Sequence, residues 1–274
     1  MHWLENERHW FLLAVVVYGL SMLYSIFLWR DGFRHHNRIN YGLLALAFLL
    51  HTVAMVKRGF SFQRCPVNNL YEAMTFVAWT IVAAYLIVGL LPRLRFLGAF
   101  ASPLLFGIGV FSLMPALDVR GPRPEFVNGF SSLHAALILL SYGAFGLSSI
   151  AGLMYLTQEH NLKFHKLRAV VSLLPPIQRL ERVMGRLLFA GFILLSAGLF
   201  VGSVWIDLPP GKKYIGDPMV LWSIFVWCLY LTLLVMRWFF SQGGRRFAWG
   251  ALGSFAFVLM TFWGFYLLSG IHRQ

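Results

Sequence analysis

The chain has 274 residues, 59% of them hydrophobic and only 12% charged, with a formal net charge of +13. A soluble globular protein carries about 25% charged residues, so too little polar surface is present for life in water, and the sequence reads as an integral membrane protein. The positive charge does not indicate nucleic acid. No basic stretch with interleaved aromatics stands outside the apolar runs, and Lys and Arg of a multi-pass protein gather on one membrane face.

Apolar runs of roughly 20 residues, the length that spans a bilayer, occur at 10–29, 41–58, 71–92, 96–117, 133–157, 187–206, 218–241 and 246–270. The expected fold is all-α: a polytopic helical bundle of eight transmembrane helices in a single domain, 1–274. The opening MHWLENERHW carries two glutamates and no positive n-region, so the first run reads as a retained helix and not as a removed signal peptide. Lys and Arg favour the loops after spans one, three, five and seven. The positive-inside rule then puts both termini on the outer (periplasmic or extracytoplasmic) side of a cytoplasmic, or inner, membrane.

Between spans five and six, in LLPPIQRLERVMGRLL, Ile177, Leu180, Val183 and Leu187 recur at helical spacing. Arg179, Arg182 and Arg186 fall on the other face. This pattern predicts a basic amphipathic helix at about 175–186 on the cytoplasmic surface, with Pro175 and Pro176 in its first turn. Cys65 and Cys228 are isolated, supporting neither a disulfide framework nor a zinc site, and Cys228 reads as core filler.

An ionisable side chain in hydrocarbon is costly, so its presence is informative. All ten acids fall in loops or at span ends. No midplane carboxylate is left for an ion-coupled transporter, and no carboxylate pair or nucleophile–base pair for an enzyme. Six of the nine histidines fall in loops or before span one. The other three are His51 inside span two, His134 opening span five and His272 closing span eight, all in the outer half or at the outer edge. Neutral imidazole is a good axial ligand for haem iron, and two histidines from separate helices at matching depth would clamp one porphyrin. A histidine at a span end also serves as an interfacial anchor, and spacing alone does not bring His134 and His272 together. His51 is either a bonded core histidine or an auxiliary ligand.

Four stretches in order carry a family resemblance. PVNNLYEAMTFVAW, LHAALILLSYGAF, LPPIQRLERVMGRLLFAGFILLSAGLFVGSVW and FWGFYLLSGIHRQ resemble the cytochrome c assembly family of haem-handling membrane proteins, the CcsA/ResC type with its HemX-like and YpjD-like relatives. The resemblance implies haem (haem b) held near the outer membrane face by His134 and His272, beside an external tryptophan-rich loop. It also implies membrane partner proteins of cytochrome c maturation. In the matching stretch PGKKYIGDPMVLW, Asp217, Pro218 and Trp222 keep their places and Tyr214 stands where a tryptophan is expected. Gly216 replaces another tryptophan. Trp205 and Tyr214 would supply part of the stacking surface, and Lys212 and Lys213 are candidates for the propionates. The family's further histidine, in the helix after the loop, is absent: Val235 and Met236 stand there. This departure fits the HemX-like branch better than a full cytochrome c synthase.

Asn69 with Glu72 three residues on reads as a capping-box-like start for span three, with propionate contact as the alternative. Two other readings of the whole chain stay open. One is a haem-free regulator or scaffold for a haem-biosynthesis or other membrane partner. The other is a small-molecule or ion transporter, to which Pro103, Gly107 and Gly109 in span four would be relevant.

Overall fold

The structure is a computed structural model describing residues 6–30, 37–62, 69–118, 129–164, 176–205, 216–239 and 243–268. Among the described residues there are eight α-helices and no strand. They are α1 (Glu7–Arg30), α2 (Arg38–Phe62), α3 (Leu70–Gly89), α4 (Gly98–Ser112), α5 (Gly129–Phe164), α6 (Ile177–Trp205), α7 (Pro218–Trp238) and α8 (Gly244–Leu268). Runs such as AVVVYGL in α1 would favour a strand in water. Hydrocarbon offers the backbone no partner, so each segment closes its hydrogen bonds internally as a helix.

Seven stretches, in α1 to α7, are long and apolar enough to cross a membrane. The 25 residues of α8 extend about 37 Å at 1.5 Å per residue, more than a hydrocarbon core of roughly 30 Å. Large apolar side chains point outward: Met260 is 83% exposed, Ile87 68% and Leu49 62%. Such a surface fits lipid, not water.

Helix ends follow the local sequence. Asn69 caps α3, its side-chain oxygen accepting from the Glu72 N–H at 2.8 Å. Asp217 caps α7 in the same way, accepting from Met219 and Val220 at 3.0 and 3.3 Å, with Pro218 at the first helical position. Pro103 lies inside α4, and the helix runs on through it.

Each helix packs against its sequence neighbours or against α5, the central element, which touches α3, α6 and α8. Side-chain pairs fix the directions. Tyr18 with His51 and Arg58 with Glu7 make α1 and α2 antiparallel. Ser148 with Met184 and His134 with Gly198 do the same for α5 and α6, and Trp222 with Thr261 and Phe225 with Phe257 for α7 and α8. Where α3 crosses α5, a Cβ on Gly143 would stand 2.7 Å from the Thr80 carbonyl carbon. Only a glycine permits that approach.

Two expectations change. The basic amphipathic stretch at about 175–186 and the span after it form one uninterrupted helix, α6, of 29 residues. Leu180, Met184, Leu188 and Leu195 make one buried stripe along it, and the Ser148 hydroxyl donates to the Met184 carbonyl at 2.9 Å. The apolar face of the stretch is thus taken up by α5 and its neighbours instead of by a membrane surface. Cys228 is exposed on α7 and is not core filler, because its position falls on the outward face between buried Val226 and Tyr230. Cys65 lies outside the described residues.

Candidate haem-ligand site

His134 stands in the second turn of α5, on the same face as Phe130 four residues earlier. Its Nδ1 lies 2.7 Å from the carbonyl oxygen of Gly198 on α6. A carbonyl only accepts, so Nδ1–H donates and the neutral ring keeps its lone pair on Nε2. The same fixing of a ring by a bond from its other nitrogen is a recurrent feature of ligating histidines. Gly202 makes the approach possible: a Cβ there would stand 2.6 Å from His134 Nδ1 and 2.7 Å from Cε1.

Beside the imidazole lies a flat aromatic pair. Trp205, at the end of α6, stacks on Phe130 with centroids 5.4 Å apart and planes 10° apart, and Phe200 meets Trp205 edge-on. Phe130 is 44% exposed and Trp205 43%, so the pair presents apolar area outward. Phe130 was not singled out from the sequence. Its signal was there, an aromatic residue four positions before a histidine at a helix start, but a phenylalanine at a span end is ordinary.

The other expected positions divide. Trp222 is buried between α7 and α8, its indole N–H donating to Thr261 at 2.9 Å and its ring against Phe262 and Phe265. With the Asp217 cap it ties the start of α7 to the last turns of α8. Tyr214, Lys212, Lys213 and His272 lie outside the described residues. No group of three or more His, Cys, Asp or Glu is placed to hold a metal ion among the described residues.

His51 has different surroundings, in α1 and α3. It is fully buried, shares a 3.1 Å hydrogen bond through Nδ1 with the Tyr18 hydroxyl and packs on Phe11. Its Nε2 meets no partner among the described residues. The cavity lined by His51, Phe11, Arg58 and Tyr71 has about 10 Å³, room for about one water molecule and none for a tetrapyrrole. That geometry favours a held core histidine over an auxiliary ligand.

Above His51 stands a cluster that the sequence did not announce. Arg58, at the end of α2, donates from Nε to Glu72 at 2.8 Å and from Nη2 to Asp118 at 2.6 Å, and pairs with Glu7 at 3.5 Å. Its guanidinium lies 4.6 Å over the Tyr71 ring. Asn69 donates to Asp118 at 2.9 Å and Arg8 approaches it at 3.7 Å. Burial alone would raise the Asp118 pKa, but hydrogen bonding and charge from Arg58, with Asn69 and Arg8, hold it below the ordinary carboxylate value. Asn69 acts as the expected cap. The Glu72 carboxylate goes to Arg58. The starts of α1, α3, α5 and α7 share one end of the bundle, so the cluster, His134, Trp205 and Asp217 stand at that end together.

Comparison with known proteins gives this arrangement a family. Residues 67–272 match the Cytochrome C assembly protein family, a span that includes His134, Asp217 and His272. The chain belongs to the cytochrome c assembly protein family. It is 27% identical to Protein HemX of Brevibacillus brevis over 255 residues, 92% of this chain and 93% of that protein. It is 25% identical to the cytochrome c biogenesis protein CcsA of Gloeobacter violaceus, covering 84% of each. Similarity to Protein NrfI of Wolinella succinogenes, 28% identical, takes in 94% of this chain but 29% of that one. As a member of the cytochrome c assembly family with seven candidate spans in its helices, the chain is a membrane protein.

Proposed function

We propose that this protein takes part in cytochrome c assembly by holding haem, as cargo, at the outer face of the cytoplasmic membrane between His134 and His272. The chain crosses the bilayer eight times as one domain, with both termini outside and membrane partners that receive or deliver the haem. The observation that carries this is the His134 ring. Its Nδ1–H is committed to the Gly198 carbonyl at 2.7 Å, which leaves Nε2 as the ligating nitrogen, next to the flat Phe130–Trp205 pair. Haem b supplies the iron that two imidazoles would bind axially. The chain's own parts supply ring orientation (Gly198, Gly202), apolar cover (Phe130, Trp205) and the joint that carries α8 toward His272 (Asp217, Trp222). Tyr214, Lys212 and Lys213, which follow Trp205 and precede Asp217 in the sequence, are assigned the aromatic edge and the cations for the propionates.

The test is an absorption spectrum of the full chain purified after haem-replete expression. A Soret band is expected, lost in His134→Ala/His272→Ala and retained in His51→Ala. A protein without a band after such expression is a haem-free member of the family. That second reading draws on the Val235 and Met236 that stand where the family carries a further histidine.

A further inference from the structure

At the end of the bundle opposite His134, a groove of about 470 Å³ lies between the segment after α3 and the first turns of α6. Its size is that of a small-molecule site. Arg179, Arg182 and Arg186 of α6 line one wall, at spacings of three and four residues that put all three on one helix face. Leu91, Leu94 and Val183 form the apolar part of the lining.

The cations of this wall are unspent. Among the described residues none of the three arginines makes an ion pair, and the single bond from Arg182 Nε goes to the Gln178 carbonyl at 3.3 Å. Glu181, the one acid on this turn of α6, approaches Arg237 of α7 at 4.0 Å and does not line the groove. Arg95 is committed elsewhere, donating to the Gly89 carbonyl and lying over Tyr41. Three like charges on one face repel one another, and an anion between them relieves that repulsion. Guanidinium groups suit phosphate oxygens in particular, which they meet with paired N–H donors. Leu90 and Leu91, 68% and 61% exposed, follow the end of α3, so apolar surface of the kind that suits lipid adjoins the arginine wall. A fitting occupant is therefore anionic at its head and apolar behind it.

We propose that this groove binds the head group of an anionic phospholipid, the phosphate among the three arginines and the glycerol and upper acyl chain on Leu91, Leu94 and Val183. Basic pockets between membrane helices hold such head groups. The proposal rests on the membrane reading of the fold and is independent of haem binding.

The experiment uses the delipidated full chain in neutral detergent, titrated with phosphatidylglycerol or phosphatidylcholine and read by native mass spectrometry. Phosphatidylglycerol binds with a clear preference. Arg179→Gln/Arg182→Gln/Arg186→Gln weakens it by about fivefold for each charge removed, the usual contribution of one cation near a lipid surface. Arg245→Gln/Arg246→Gln, at the same end of the bundle, leaves it unchanged. Arg182 and Arg186 are exposed, so Arg182→Gln/Arg186→Gln serves if the triple variant does not fold. Equal binding of the two lipids, or an unchanged preference in the folded arginine variants, overturns the proposal. So does full displacement by millimolar inorganic phosphate, which would mean an anion site with no use for its floor. Displacement by equimolar haem, whose propionates offer carboxylates on an apolar body, would assign the groove to the tetrapyrrole and overturn it as well.

Discussion

Gly202 shows how much of the candidate site depends on one hydrogen atom. With a Cβ in place, contacts of 2.6 and 2.7 Å to the His134 ring would drive the imidazole off α6 and break its bond to Gly198. Gly202→Ala should therefore remove most of the haem spectrum, the same outcome expected of His134→Ala/His272→Ala. The helix itself accepts alanine, which is about 1 kcal/mol better than glycine in a helix interior, so the fold should survive. Parallel Soret absorbance and far-ultraviolet circular dichroism would check both halves; an unaltered Soret band would mean that the ring position does not matter. His134 was visible as a candidate in the letters, because an imidazole near a membrane is conspicuous. What holds it was not visible. Gly198 and Gly202 are two small residues among many on spans, and small residues on spans pack helices without distinction.

At the scale of elements, α1, α2, α3 and the turn after α4 are joined by the charges around Arg58. Glu72 is fully buried and Arg58 nearly so, and removal of one partner of a buried pair commonly costs 3–5 kcal/mol (roughly) because the other charge is stranded. Arg58→Met should thus destabilise strongly in chemical or thermal unfolding of the solubilised protein, and more than Lys57→Met beside it. Asp118 adds a pH dependence. Its carboxyl is held below the ordinary value in the folded protein, so its contribution is fully present above the unfolded value of about 3.9 and is lost as pH falls through the lower, folded one. The melting temperature should change little between neutral pH and about 5 on this account, then fall more steeply in the native chain than in Asp118→Asn. Helix starts were legible at this scale: Asn69 and Asp217 cap as their residue types suggest. The cluster was not, since its members come from four places in the chain and each is an ordinary charge at a span end. The continuity of α6 was also hidden. Its amphipathic pattern states that one face is apolar and leaves open whether lipid or protein covers it, and buried Leu180 and Met184 answer for protein.

For the whole molecule, the run lengths already carried the all-helical architecture, of which eight helices and seven candidate spans stand among the described residues, because a bilayer leaves the backbone few alternatives. The ends of the bundle carry the functional geography. One end gathers Glu7, Glu72, Asp118, His134 and Asp217; the other gathers the arginines of the first turns of α6 along with Arg95 and Arg245. Positive charge near the ends of spans stays in the cytoplasm during insertion, so the orientation proposed above puts the arginine end inward and the His134 end outward. A phosphatase active only outside the cytoplasm, fused after Gln274, should therefore be active, and so should one fused after Asp118, where the chain returns to the same end. Fused after Phe239, at the opposite end, it should be silent, while a fluorescent protein that matures only inside should show the reverse pattern. Removal of the arginine triad of α6 should weaken this asymmetry without reversing it, because Lys and Arg in the other inward loops still act. If the fusions after Gln274 and Phe239 gave the same signal, the alternation of the helices would be wrong. If both patterns were inverted, the alternation would stand, but the imidazoles would face the cytoplasm, and an outer haem station built on His134 and His272 would have to be abandoned.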